Sequence, residues 1–561
     1  MAGKRKGDRP PPPGLAPKDA SEPGEPSASA RRAVAEVIEL QRRIFERQRR
    51  IIESREAHPT PGFRRYRSEY LRAVDNYMSE SGFGALSDAM AAARIAYVAD
   101  YHTLALAQKT FVKIVESVMR QVENLCLVLE FVHERHQRHL DRYLAGELRE
   151  DAFLKAIRYK ESWPYDIWPN FKPIFELAIE NGFPVVAIDS DATLPLRDRD
   201  RRAASHIARA AAACPESTLL VLTGQMHVAP CHLPAAVDGA FAKLGMPAPE
   251  RVVVYQNAEE IYWQLARAGR EEVEVVKVDD ESFCVNNTPP LVQQLSYLHW
   301  IQYDSDLLEY EEIESTVRSL IHGMARYLNL PVGRAAEEAR VLMPGDLDLM
   351  DVLGSSGLDA AGKGRILTQI ELEESACVPS LNLIYLATLS VNHAAEEASH
   401  YVKHVVSRGV EPAELRDAFY FHVLNEACGF FGSKVVNPKR KCDHEGRLRG
   451  IVARARQRDG RPTAAERAAE FSLQHLAWQG GGGRRAGSAK ALADPAVLAA
   501  AAHMLGYILG DRLYYGLTNG DVQKNLVRWL FLAPLDKERE ALDVYLYLSE
   551  KLRGVRIPTR I

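Results

Sequence analysis

Thr218-Leu219-Leu220-Val221-Leu222, followed by Thr223-Gly224-Gln225-Met226-His227, decides the fold class. An unbroken apolar and β-branched run fits a strand buried on both faces, and the polar turn after it fits that strand's carboxyl end. The same form recurs at 95–99, 125–129, 184–188 and 252–255. Between these runs lie stretches of helical period at 104–121, 171–181, 199–213 and 258–267, the second closed by Gly182-Phe183-Pro184. Strand and helix in alternation predict an α/β fold, a mostly parallel sheet flanked by helices over residues 91–285.

The chain around this segment has 561 residues, room for about two to four domains at roughly 150 residues each. Residues 1–30, with prolines at 10–13 and almost no large apolar side chains, read as a disordered tail. Residues 31–90 read as an N-terminal helical segment. In it Val37, Ile44 and Ile51, and Ile38, Phe45 and Ile52, recur every seven residues and predict one long amphipathic helix over 33–55 with a solvated basic-acidic face. Residues 286–561 read as an all-α C-terminal region.

Lys+Arg number 71 against 75 Asp+Glu, a net charge of -4, so no global basic field draws the chain to nucleic acid. Seven scattered cysteines without a CxxC pair point to a reducing compartment. The absence of an apolar run of about 18 residues argues against a transmembrane segment, and the lack of an N-terminal apolar leader gives a cytoplasmic expectation.

Open parallel sheets bind ligands at the carboxyl ends of their strands. Here those ends deliver Asp100-Tyr101-His102, Glu130-Phe131, Asp189-Ser190 and Thr223-Gly224-Gln225-Met226-His227. A single His or Glu after a strand commonly caps a helix. Four polar ends on one edge make a site, with His102, Glu130 and His227 as its centre and Asp100 in support. Imidazole and carboxylate both ligate metals and both move protons near neutral pH. His133, His136 and His139 follow Glu130 three apart, on what is expected to be the solvated face of a helix.

Five stretches carry a family resemblance. Ala99-Asp100-Tyr101-His102 is similar to an opening Gly-Glu-x-His. Leu129-Glu130-Phe131, with Gln137 and Leu140-Asp141-Arg142-Tyr143-Leu144-Ala145-Gly146, is similar to a Leu-Glu-Met-Phe, Gln and Leu-Asp-x-Tyr-Leu-x-Gly series. Trp163-Pro164-Tyr165-Asp166, Arg199-Asp200 and Gly224-Gln225-Met226-His227 complete it. Together they make residues 93–235 resemble the ChaN family of haem-binding proteins, in the superfamily that also holds Tiki proteases, TraB proteins and erythromycin esterases. Ala99 stands in the place of the first motif's Gly and Asp100 in that of its Glu, which shortens the acid by one methylene.

The resemblance implies a cofactor, haem or a divalent metal ion, and leaves two mechanisms open. In the first, haem sits in an aromatic slot beside Trp163 and Trp168, with Tyr101 or His102 axial and Asp100, Glu130, Tyr165 and His227 around it. In the second, His102, Glu130 and His227 hold a metal ion or activate water directly, and Arg199 steadies an oxyanion. A third reading is a scaffold whose site has decayed at Ala99. The expected partners are haem or another small molecule and, in a homo-oligomer, a second copy of the chain.

From about Pro289 onward the strands are expected to stop, and Gly480–Gly483 with Arg484 and Arg485 reads as a flexible loop. In 383–406, His393, Glu396, Glu397, His400 and His404 fall within about 60° on a helical wheel, opposite Val391, Ala394, Ala395, Ala398 and Val402. That predicts a hydrated stripe. His422 and Glu426, four apart on a second helix, would make a metal site of it if the two helices faced each other. Lys434, Lys439, Arg440 and Lys441 read as a solvated basic loop, while Gly506 and Gly510 permit close helix packing.

Overall fold

The computed structural model describes residues 28–558 except 56–58, 164–165, 305–309, 344–351, most of 355–374, 388–389, 443, 459 and 480–490. The segment 1–27 of the expected tail, Tyr165 and the 480–490 loop therefore lie outside the described residues. The chain divides into an α/β unit, Phe45–Leu308, and a helical unit drawn from Met1–Ile44 and Glu309–Thr559.

The α/β unit is built on an eight-stranded sheet of order β1-β7-β8-β6-β2-β5-β3-β4. The apolar runs read from the sequence are β2 (Ile95–Asp100), β3 (Leu125–His133), β4 (Val185–Asp189), β5 (Thr218–Gly224) and β6 (Arg251–Gln256). All pair in parallel, β5 lying between β2 and β3. Three short strands at the far edge, β1 (Ser79–Ser81), β7 (Val275–Lys277) and β8 (Ser282–Val285), complete the sheet, with the β1/β7 and β7/β8 pairs antiparallel.

Because strand side chains alternate, each strand feeds two cores. Ala96, Val98, Leu125, Leu127, Leu129, Leu220 and Leu222 pack on one face with Phe111, Ile114, Phe171 and Phe175. Tyr97, Cys126, Val128, Leu219 and Val221 pack on the other with Ala204, Ile207, Val237 and Ile261. Full burial of one such aliphatic or aromatic side chain is worth about 1.5–3 kcal/mol, so this two-sided packing explains why the strands carry no polar alternation. Helix Trp168–Asn181 stops at Gly182, whose φ of 68° a β-carbon would resist, just before β4.

One departure matters for the site. β3 runs four residues past its expected end, and its register with β4 breaks between Leu129 (opposite Ala187) and His133 (opposite Asp189). The irregularity falls in the stretch that holds Glu130, as bulges often do beside functional sites. His133, His136 and His139 thus do not share a helix: His133 ends β3, His136 closes the 3-10 turn Glu134–His136, and His139 lies in helix Gln137–Leu144.

In the helical unit, helix Ala28–Arg55 buries Ala30, Ala33, Val37, Leu40 and Ile44. Strands persist beyond Pro289, contrary to expectation, as a small three-stranded sheet of Arg340–Leu342, Ala376–Val378 and Leu383–Tyr385. From Val391 to Lys551 the described elements are helical. The hydrated-stripe expectation for helix Val391–Ser407 fails at its two glutamates, while His393 and His400 are half-buried and His404 is exposed. Glu396 and Glu397 are buried together with Val391, Ala395, Ala398 and Val402, because neighbours cover both faces of this helix. The basic cluster is likewise largely covered: Lys434, in helix Leu415–Val436, and Lys439 are buried, Lys434 pairing with Asp511 at 3.0 Å and Arg440 with Glu396 at 2.8 Å, and only Lys441 of the four is exposed. Gly506 and Gly510 do what their spacing allowed. A β-carbon on Gly510 would stand 2.6 Å from the Ala427 carbonyl oxygen, so helices Leu415–Val436 and Pro495–Asn519 meet backbone to backbone.

Candidate active site

The parallel register sets the ends of β2, β3 and β5 side by side. Asp100 lies opposite Gly224, Ala99 opposite Thr223, and Leu129 opposite Leu222. His102, Glu130 and His227, read from separate motifs, therefore converge. A β-carbon on Gly224 would touch all three, 3.4 Å from Glu130 Oε2, 3.4 Å from His102 Nε2 and 3.5 Å from His227 Cδ2.

Each imidazole is held from behind by a carboxylate. His102 Nδ1 lies 2.7 Å from Asp100 Oδ2, and His227 Nδ1 lies 2.6 Å from Asp200 Oδ1. Asp100 is itself fixed by the amide of the buried Gln108. Holding Nδ1 sets the tautomer and leaves Nε2 facing the site. Burial alone would lower the pKa of His102, but Asp100, with Glu130 and Asp189 behind it, outweighs this and raises it above the ordinary imidazole value. For His227 burial is again outweighed, by Glu130 and then Asp200.

Glu130 is held as a carboxylate. Its Oε2 accepts from the Thr223 hydroxyl and the Gly224 amide, each at 2.6 Å, and its Oε1 accepts from Arg199 at 2.7 Å. Burial opposes ionisation, but His227, Arg199, His102 and Thr223 together bring its pKa down to about 2. Arg199 also donates to Asp189 at 3.1 Å. Asp189 moves the other way, up to about 6, through burial and the charge of Glu130. Two carboxylates sharing one guanidinium are driven apart in acidity, an arrangement typical of acid/base sites.

The sequence motifs do not single out Tyr66. It comes from helix Pro61–Ala73 and donates to Asp200 at 2.9 Å, its oxygen also 2.9 Å from His227 Nδ1. His232 stacks on the Tyr66 ring with centroids 3.6 Å apart and holds Glu69 at 3.0 Å. Asp200 has a signal, the Arg-Asp pair at the head of a helix. Tyr66 has none, since its approach to His227 is set by tertiary packing.

Of the tryptophans expected to line a haem slot, Trp168 lies in the core, whereas half-buried Trp163 stands edge-on to His102, ring centroids 5.1 Å apart. Trp163 also stacks on Phe131, donating its indole N–H to the Phe131 carbonyl at 3.1 Å. The described groups hydrogen-bonded to His102, Glu130 and His227 are Asp100, Arg199, Thr223, Gly224, Asp200 and Tyr66, a polar lining that suits a small polar substrate. Nor is the expected metal set of His102, Glu130 and His227 a compact one. Both Glu130 oxygens are taken, and the groupings whose donor atoms lie within 4.8 Å of one another, among the described residues, are elsewhere. A metal ion held by all three of these side chains therefore fits them poorly, and acid/base chemistry is open to the site's own side chains.

Residues 86–195 match the family described as haem-binding uptake, Tiki superfamily, ChaN. The ChaN-like match covers β2, β3 and β4 with Asp100, His102, Glu130 and Asp189; beyond it lie Arg199 and Asp200, on helix Leu196–Ala213 after β4, and Gly224 and His227, which the return of β5 brings to the same edge. No curated protein and no solved structure matches the chain.

Proposed function

We propose that the ChaN-like α/β unit is a hydrolase that cleaves an ester or amide by imidazole–carboxylate acid/base catalysis. The observation that carries this reading is the convergence on Gly224 of two imidazoles, each backed by a carboxylate, around an ionised Glu130. His102, the more exposed of the two, takes a proton from water as the water oxygen attacks the acyl carbon. His227 gives a proton to the leaving oxygen or nitrogen as its bond to that carbon breaks. Arg199 supplies positive charge where negative charge develops, and its buried Nε, which has no hydrogen-bond partner among the described residues, is a donor left for an oxyanion. Glu130 and Asp189 hold the guanidinium in place.

A second reading, retention of haem or a metal, is favoured by the family description and by the carboxylate behind each imidazole, an arrangement also found behind metal-bound His. One set of measurements separates the two. Wild type, His102→Ala, His227→Ala and Glu130→Gln are assayed on ester and amide substrates with and without chelator, and titrated with haem. The hydrolase reading expects chelator-resistant turnover that each His variant lowers by about 100-fold or more, with circular dichroism unchanged. No turnover by the wild type overturns it, and saturable haem binding lost in His102→Ala moves the assignment to the second reading. The scattered cysteines favour a cytoplasmic setting, which recovery from the periplasmic or membrane fraction of producing cells would refute.

A further inference from the structure

We infer that the helical unit holds a single divalent transition-metal ion between Glu396, His400 and Glu426, a site separate from the ChaN-like one. One donor atom from each of these side chains lies within 4.8 Å of the other two. They come from two helices, Val391–Ser407 and Leu415–Val436, and reach one another because the backbones approach closely. Gly429 gives the His400 ring its place, since a β-carbon there would collide with it, and Gly506 on helix Pro495–Asn519 does the same for the Cβ of Glu426.

The decisive observation is His400 Nε2. It is fully buried and has no hydrogen-bond partner among the described residues, while the opposite nitrogen, Nδ1, lies 3.3 Å from Glu397 Oε2. An imidazole fixed by a carboxylate at one nitrogen and bare at the other is how a protein presents a histidine to a metal. The nitrogen faces the side of its partner helix that carries Gly429 and, three residues earlier, Glu426. Both carboxylates are steadied from outside: Glu396 Oε2 by Arg440 at 2.8 Å and Glu426 Oε2 by His503 Nδ1 at 3.0 Å. Arg440 is anchored in turn on the Tyr507 hydroxyl at 2.8 Å. One nitrogen and two carboxylate donors of borderline and hard character suit Zn²⁺, Fe²⁺, Mn²⁺ or Co²⁺ better than a soft ion. His393 and His422, which share the sequence pattern, are not in the group, and His422 pairs instead with Glu411 at 3.3 Å.

The test is titration of the full-length chain, stripped with chelator, with Zn²⁺, Mn²⁺ and Co²⁺ in turn. The wild type and Glu130→Gln should each bind one equivalent. His400→Gln and Glu426→Gln should bind it about 100-fold more weakly or worse, since even outer partners of a metal cost 10–100-fold. Should either variant misfold, X-ray absorption of the loaded wild type decides, with a shell of nitrogen and oxygen including one imidazole expected. Absence of saturable binding to the wild type, a sulfur-containing shell, or binding abolished by Glu130→Gln and retained in both helical variants overturns the site.

Discussion

At the scale of single residues, His102 and Asp100 make the sharpest prediction. Asp100 raises the pKa of His102 in the folded chain, so a reaction needing His102 unprotonated has its acid limb above the ordinary imidazole value. Asp100→Asn should move the acid limb of kcat/KM to lower pH while lowering kcat. A purely structural Asp100 would lower activity without moving the limb. The same pair has a stability consequence of opposite sense from a salt-bridged acid. Its stabilisation is full below the unfolded imidazole pKa and is lost as pH rises through the raised folded value. Glu130 behaves conversely: its contribution is full above the ordinary Glu range and disappears only as pH falls towards about 2. Acid unfolding monitored by circular dichroism should therefore lose steepness in Glu130→Gln, whose neutral amide takes up no proton over that interval.

At the scale of elements, helix approach distance is the quantity to perturb. In Gly510→Ala the added methyl would stand 2.6 Å from the Ala427 carbonyl oxygen and 3.0 Å from Phe430 Cβ, and backbone cannot yield as a side-chain tip can. Overpacking of about 1–3 kcal/mol should outweigh the gain of about 1 kcal/mol in helix propensity, and the melting temperature should fall. Gly239, in helix Leu233–Lys243, has nothing within 4 Å of a β-carbon, so Gly239→Ala should leave the melting temperature unchanged or raise it. The strands that build the site were legible because burial on both faces removes all polar alternation, and the site residues because parallel strands end together. Glu396 and Glu397 were not. A wheel places them opposite the alanines and valines, and the partner that makes the burial of Glu396 tolerable, Arg440, lies 44 positions further along the chain and off this helix. Nor was the break in register between Leu129 and His133 legible, since Phe131-Val132 continues the apolar run and hides it.

At the scale of the whole molecule, charge balance governs behaviour in solution. Acidic and basic residues nearly cancel and the isoelectric point is about 6.5, close to neutrality. Small changes of pH near neutrality therefore reverse the sign of the net charge. Light scattering of the concentrated protein should peak near pH 6.5 and fall by about pH 8, where the chain is anionic. No helix among the described residues is long and apolar enough to cross a membrane.

The bare α-carbon of Gly224 has one more consequence. A methyl group there would meet Glu130, His102 and His227 at ordinary contact distance, so the fold has room for it. The volume it would take is the volume a reacting atom needs. Gly224→Ala would thus behave like an enzyme synthesised with its own competitive inhibitor attached: melting as the wild type does, titrating normally at its histidines, and showing its defect as a raised KM.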